Sequence, residues 1–400
     1  MELTHEEQQM LDGKYGEGVA IAMKVQVAVG EAFGAERMVE ISRAHVALSN
    51  QDADLWFAEK LVNGGARCRI SPTVNPGFNL EYFQDVTTIS PEDESVIKRT
   101  RAAYKAIGAI LTYSCTPYLE ENIPRFGEIT AYSESSATPY MNSVYGARTN
   151  RESAQSALCA AVTGRTPLYG FLLDANRKGQ VLVEVQATLR DDSDYSMLGY
   201  CAPKKMGFGV PVFTGIDNPS PEGLMNLGAQ LNTAGAVTMY HIVGVTPEAR
   251  TLEAAFQGEE PQKRVVITDQ DLQEMRQALS ASTGKIDFAM FGCPHLTIGQ
   301  VAQIAGQVEG KRLQAELWIC TSFQTKELAS RMGFMDVISR AGGHIVEDSC
   351  VDQPCWHHLY GKKGVTDSPK CAYYTKRRNM EFVLRSIPEC VDAAIRGEVA

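Results

Sequence analysis

The sequence predicts an α/β protein with largely parallel sheets flanked by helices, and two observations carry that prediction. Short apolar runs alternate with amphipathic stretches along most of the 400 residues, which is the rhythm of strand–helix–strand units. Several runs are almost continuously apolar, as strands buried on both faces require. The chain is too long for one small core, so several packed lobes are expected. The expected lobes are 1–190, 191–262 (a boundary or insertion) and 263–400.

Taken in order, "MELTHEEQQML" opens a helix, with Thr4 as N-cap and Glu7 three residues on. "MVEISRAHVAL", "VLVEVQATL", "AVTMYHIVGV", "RVVIT", "KIDFAMFG", "AELWICT" and "HIVED" read as strands. Between them, "PEDESVIKRTRAAYKAIGAI", "PEGLMNLGAQLN", "DQDLQEMRQALSAS", "TIGQVAQIAGQVEG" and "KELASRMGFMDVISRAGG" have helical periodicity. Asp269 and Thr297 are the expected N-caps, and Gly342 with Gly343 the expected stop. Two stretches break the rhythm. Residues 189–223 are rich in Gly, Pro and Asp and predict a lobe boundary or long loop. Residues 350–374, "CVDQPCWHHLYGKKGVTDSPKCAYY", have no clear period and collect cysteine, histidine and lysine.

The totals exclude several functions. No apolar run is long enough to span a bilayer, and the acidic start lacks the layout of a signal peptide. A net charge of −10 argues against nucleic acid as a partner. The basic cluster "YYTKRRNM" is short and reads as a solvated patch. Ten cysteines without an export signal point to a reducing, cytoplasmic setting. No CxxC pair occurs, which weakens redox and zinc-ribbon readings.

Ligands of open parallel sheets bind beyond the carboxyl ends of the strands. Cys115, Cys293 and Cys350 each follow a strand-like run. Cys68, Cys159, Cys201, Cys320 and Cys390 have packing or turn contexts, and Cys355 and Cys371 are ambiguous. Three dispersed cysteines could bind zinc, bind an iron–sulfur cluster or simply pack. The densest polar stretch is "AYSESSATPYMNSVYGARTNRES", residues 131–153. Its Arg148 and Asn150 are the residue types that capture and orient a carboxylate. "SPTVNPGFN" offers Asn75 before Pro76, and "TDSPKCAYY" sets Lys370 beside Ser368.

Together "TYSCTPYL", "AYSESSA" with "NSVYGARTNRE", "FGCPH", "EDSC" and "DSPKCAYY" resemble aconitase X, a divergent branch of the aconitase superfamily. The resemblance runs over nearly the whole chain. It implies aconitase-like lobes and an iron–sulfur cluster (2Fe-2S or 4Fe-4S/3Fe-4S left open) on Cys115, Cys293 and Cys350. It implies catalytic roles for Glu134 and Lys370. Substrate contacts are implied at Asn75, Pro76, Glu134, Ser135 and Lys370, and at His45, Val46 and Ala47 by matching position; residue chemistry adds Arg148 and Asn150. The activity implied is dehydration of a hydroxy acid, with open iron as Lewis acid on the departing hydroxyl. The catalytic serine sits on a small swivel domain in aconitases. That domain is lacking here, so a separate small subunit is the expected partner.

Two substrates are in view. The phosphomevalonate type has a Gly-Val-Ser stretch where this chain has His45, Val46 and Ala47, and losing glycine and hydroxyl weakens a phosphate cradle. The sequence-based preference is therefore cis-3-hydroxy-L-proline, with phosphomevalonate as the alternative. A zinc-dependent hydrolase or a non-catalytic scaffold is the alternative of another class.

Overall fold

The computed structural model describes residues 1–49 and 51–400. The chain divides into two compact units, one of residues 1–77, 90–179 and 238–259, the other of 78–89, 180–237 and 260–400.

The first unit is built on a three-stranded parallel sheet ordered Thr73–Asn75, Arg43–Ala47, Thr130–Tyr132. Helices Glu17–Ala32, Asp52–Asn63, Pro91–Ile107 and Ala154–Thr163 supply most of its core. Helix Pro91–Ile107 illustrates why such segments are helical. Ser90 caps it by accepting from Asp93 N–H, Pro91 occupies the first turn with three acidic residues, and Gly108 stops it at φ 95°. Its buried residues Ile97, Thr100, Ala103, Tyr104 and Ile107 recur at helical spacing and form the inward stripe. "MVEISRAHVAL" splits in two, because Met38–Glu40 pairs antiparallel with Arg165–Pro167 while Arg43–Ala47 enters the parallel sheet.

The second unit holds a five-stranded, all-parallel sheet. Its order is Gly343–Val346, Glu316–Thr321, Phe288–Leu296, Lys363–Thr366, Glu381–Leu384. Every residue of the central strand Phe288–Leu296 is buried, as expected for a strand covered on both faces. Helices Ile298–Val308, Phe334–Ala341 and Ile387–Arg396 pack on this sheet. A second parallel sheet has Val181–Val185 between Pro211–Thr214 and Lys263–Ile267.

Several expectations change. Asp269 is not the cap; Thr268 is, through a capping box with Asp271. Thr297 caps as expected, and Gly342 ends its helix at φ 98°. "AVTMYHIVGV" keeps only His241–Ile242 as strand. The expected loop at 189–223 instead contains helix Asp192–Met206 and strand Pro211–Thr214. That helix is buried nearly all round, so it has no polar face to produce a period. It lies close against helix Pro221–Gly235, where a Cβ on Gly199 would stand 2.5 Å from the Leu227 carbonyl oxygen.

Candidate active site

In each unit the chemistry-bearing residues gather where parallel strands end, the usual ligand position of such sheets. In the first unit Asn75 ends one strand, and Glu134 and Ser135 follow another. The Asn75–Pro76 bond is cis. Between these strand ends stands His45, wholly buried, with Nδ1 2.7 Å from Thr73 Oγ1 and Nε2 2.8 Å from Asn75 Oδ1. Burial pushes its ring down to about 4, against the opposing pull of the Glu134 charge and the Asn75 hydrogen bond. Val46 is core, and the Ala47 N–H is bound to Ser133 Oγ at 2.7 Å. His45 and Val46, expected among the substrate contacts, have no exposed surface here.

Glu134 is shaped by the helix that follows it. One carboxylate oxygen accepts from Ser136 N–H at 2.6 Å, Ala137 N–H at 2.7 Å and the Ser136 hydroxyl. This anchors negative charge at the start of helix Ala137–Ser143. The other oxygen accepts from Ser135 Oγ at 3.2 Å. Ser136 Oγ also reaches the Cys115 carbonyl at 3.1 Å, tying the glutamate turn to the cysteine segment. Cys115 does not follow a true strand: of "AILTYS" only Ile110 forms a bridge, to Thr73.

Arg148 and Asn150 bond to residues further along the chain. Arg148 donates to the Leu172 carbonyl at 2.8 Å and pairs with Asp174. Asn150 donates to the Tyr169 carbonyl at 3.1 Å and accepts from Phe171 N–H at 2.9 Å. Both brace residues 169–174. Their residue types suggested binding, while their partners lie too far along the chain for the sequence to reveal.

In the second unit Cys293 interrupts the central strand. The pairing of Phe291 with Ile319 jumps to Leu296 with Thr321. Gly292 makes this possible at φ 110°, where a Cβ would stand 2.3 Å from the Cys320 carbonyl oxygen. The Cys293–Pro294 bond is cis, and the Cys293 carbonyl accepts from Ser368 Oγ. Cys350 lies four residues beyond strand Gly343–Val346; its carbonyl accepts from Trp356 Nε1 at 2.9 Å. Lys370 is buried in the first turn of helix Pro369–Thr375, capped by Ser368, with Nζ 6.0 Å from the Tyr374 ring.

One residue of the quoted motifs had been given no role. Asp367 directly follows strand Lys363–Thr366, is buried, and among the described residues its Oδ1 has no hydrogen-bond partner. Burial pushes its carboxyl up to about 7, and the charges of Asp192 and Asp191 push the same way. Thr73 and Asn122 were missed too, because neither residue type signals chemistry by itself.

The donor chemistry separates the cysteines. Burial pushes the thiol of Cys68 up to about 12 and of Cys201 to about 11. It pushes Cys159, Cys355, Cys371 and Cys390 up as well, making all six poor thiolates. Cys115 and Cys350 are partly exposed. Among the described residues no group of three or more His, Cys, Asp or Glu is gathered closely enough to hold a metal ion. Cys115 belongs to the first unit, Cys293 and Cys350 to the second. Cys115 follows an irregular segment, Cys293 lies inside the central strand and Cys350 four residues past another; as soft thiols the three fit an iron–sulfur core by donor type alone.

Comparison with known proteins completes the description. Family models described as the first, second and third domains of aconitase X match residues 1–175, 179–277 and 286–396. The phosphomevalonate dehydratase large subunit of Methanothermobacter thermautotrophicus is 41% identical over 93% of each chain. The cis-3-hydroxy-L-proline dehydratase of Pseudomonas aeruginosa is 33% identical over 98% of this chain and 69% of its own. The crystal structure of Thermococcus kodakaraensis aconitase X in its holo form superposes with a TM-score of 0.90 at 35% identity, covering 98% of this chain and 100% of that one.

Proposed function

Because the chain belongs to the aconitase X family, we propose that it is the large subunit of a dehydratase, a hydro-lyase acting on a small hydroxy acid. The near-full-length likeness to large subunits named phosphomevalonate dehydratase carries this reading. Phosphomevalonate is therefore the first substrate. The second is cis-3-hydroxy-L-proline, which the sequence favoured, and a separate observation supports it. His45 and Val46 are buried, Ala47 has no hydroxyl and its N–H is already bonded, so this segment offers a phosphate no donor.

In this reading Cys115, Cys293 and Cys350 hold the iron–sulfur cluster. When bound, such a cluster supplies a Lewis-acidic iron for the departing hydroxyl. Lys370, buried in the first turn of its helix, holds a substrate carboxylate. Asn75 and Ser135 orient the substrate through hydrogen bonds beside Pro76. Glu134, braced through one oxygen, accepts from a substrate hydroxyl or ammonium with the other. The serine that removes the carbon-bound proton comes from a small subunit, in keeping with relatives named as large subunits.

The deciding experiment is co-expression with a small-subunit gene followed by anaerobic assay on both substrates. Dehydration of phosphomevalonate supports the first reading, and dehydration of hydroxyproline alone reverses the order. A colourless, zinc-loaded chain inactive on both would return the protein to the hydrolase class.

A further inference from the structure

His45 sits on the middle strand of the first unit's parallel sheet, and the register sets it opposite Thr73 on one side and Tyr132 on the other. Side chains alternate faces along a strand, so Thr73 and Asn75 share a face and flank the His45 ring. The Tyr132 ring stacks on the imidazole with centroids 5.7 Å apart, and its hydroxyl donates to the Asn122 carbonyl at 2.8 Å. Asn122 Nδ2 in turn donates to the Ala44 carbonyl and to Thr73 Oγ1, each at 2.8 Å.

Counting hydrogens gives this chain a direction. An amide nitrogen only donates, so Thr73 Oγ1 accepts from Asn122. The Thr73 hydroxyl is buried and must place its own hydrogen, and His45 Nδ1 is the acceptor beside it. With Nδ1 accepting, a neutral ring carries its hydrogen on Nε2 and donates it to Asn75 Oδ1. The opposite tautomer would leave the Thr73 hydrogen without an acceptor among its hydrogen-bond partners, an unmade bond of the costly kind. Burial holds the ring neutral far below the ordinary histidine range, so this direction persists at neutral pH.

We propose that Asn122, Thr73 and His45 form a one-way hydrogen-bond relay that fixes the Asn75 carboxamide with its N–H pair toward the ligand. What Asn75 recognises is then an acceptor oxygen, as on a carboxylate or phosphate, and not an ammonium. His45 is a positioning residue: it engages only the oxygen of Asn75 and acts through it. The inference rests on the reading of Asn75 as a substrate contact.

The test compares His45→Gln, which keeps a donor at the Nε2 position, with His45→Leu, which removes it, in the cluster-loaded complex. His45→Gln is expected to hold KM within about threefold. His45→Leu is expected to raise KM about tenfold or more with a smaller change in kcat, as for a lost bond to a charged group. Repeating the comparison on mevalonate separates the sources: a penalty that persists marks the carboxylate, one that vanishes marks the phosphate. Equal losses in both variants, or an unchanged KM in His45→Leu, overturn the proposal. Nitrogen-15 NMR of histidine-labelled wild type decides the relay even if neither substrate turns over, an outcome that would sink the function reading alone. An Nε2–H tautomer retained from pH 8 to 5 supports the relay, and an Nδ1–H tautomer or an imidazolium at pH 6 overturns it.

Discussion

Arg177 is fully buried, and its guanidinium meets the Glu248 carboxylate, the Phe171 carbonyl and both oxygens of the Asn142 backbone and side chain. Nothing in its sequence context marks it, yet removing it would take donors from the Phe171 carbonyl, both Asn142 oxygens and the Glu248 carboxylate. Arg177→Met is expected to lower stability by about 3–5 kcal/mol, read from the denaturant midpoint; a loss below about 1 kcal/mol would mean the neighbours re-pair. His45 makes a pH prediction. Its folded value is about 4 against 6.5 unfolded, so the unfolded chain binds more protons between those values. Stability contributed by the neutral ring is present above pH 6.5 and is lost as pH falls toward 4, on the order of 3 kcal/mol in all. Stability against pH should be flatter over that window in His45→Gln than in wild type, and equal slopes would count against a buried neutral ring. Lys370→Met keeps the packed stem and removes the charge. It should leave the melting temperature within a few degrees and cut kcat/KM by about a hundredfold, as loss of a buried charge partner does; near-normal kcat/KM would remove Lys370 from the site.

Among the elements, strand Phe288–Leu296 carries the sharpest local demand. Gly292 combines φ 110° with a backbone oxygen 2.3 Å from where a Cβ would go, so Gly292→Ala cannot be absorbed by a side-chain shift. It is expected to cost about 2–4 kcal/mol and to lower bound iron by displacing Cys293, measured by thermal melt and iron content. An unchanged melt would show that the strand tolerates another path there. Caps were partly legible at this scale: Thr4 and Thr297 each carry a capping box written in four consecutive residues, whereas the expected Asp269 gives way to Thr268. Helix Asp192–Met206 was not legible, because burial on all sides erases the contrast on which periodicity depends.

Over the whole molecule, Cys115 belongs to the first unit and Cys293 and Cys350 to the second, and the proposed ligand set is tested by substitution. Cys115→Ser, Cys293→Ser and Cys350→Ser should each strip iron and sulfide from the purified chain, whereas Cys355→Ala and Cys371→Ala should retain both. Full iron in any of the three serine variants would exclude that residue as a ligand. Activity should also require the second polypeptide, and turnover by the large chain alone would locate the base within it. The sequence by itself determined the parallel α/β architecture and several helix ends, among them Thr4, Thr297 and Gly342, because periodicity and caps are local properties. Only the tertiary structure decided which polar residues are already committed. His45 finds Thr73 28 positions away and Arg177 finds Glu248 71 positions away. Such partners are set by the lateral order and register of strands and by which segments pack together, and no local pattern encodes that choice.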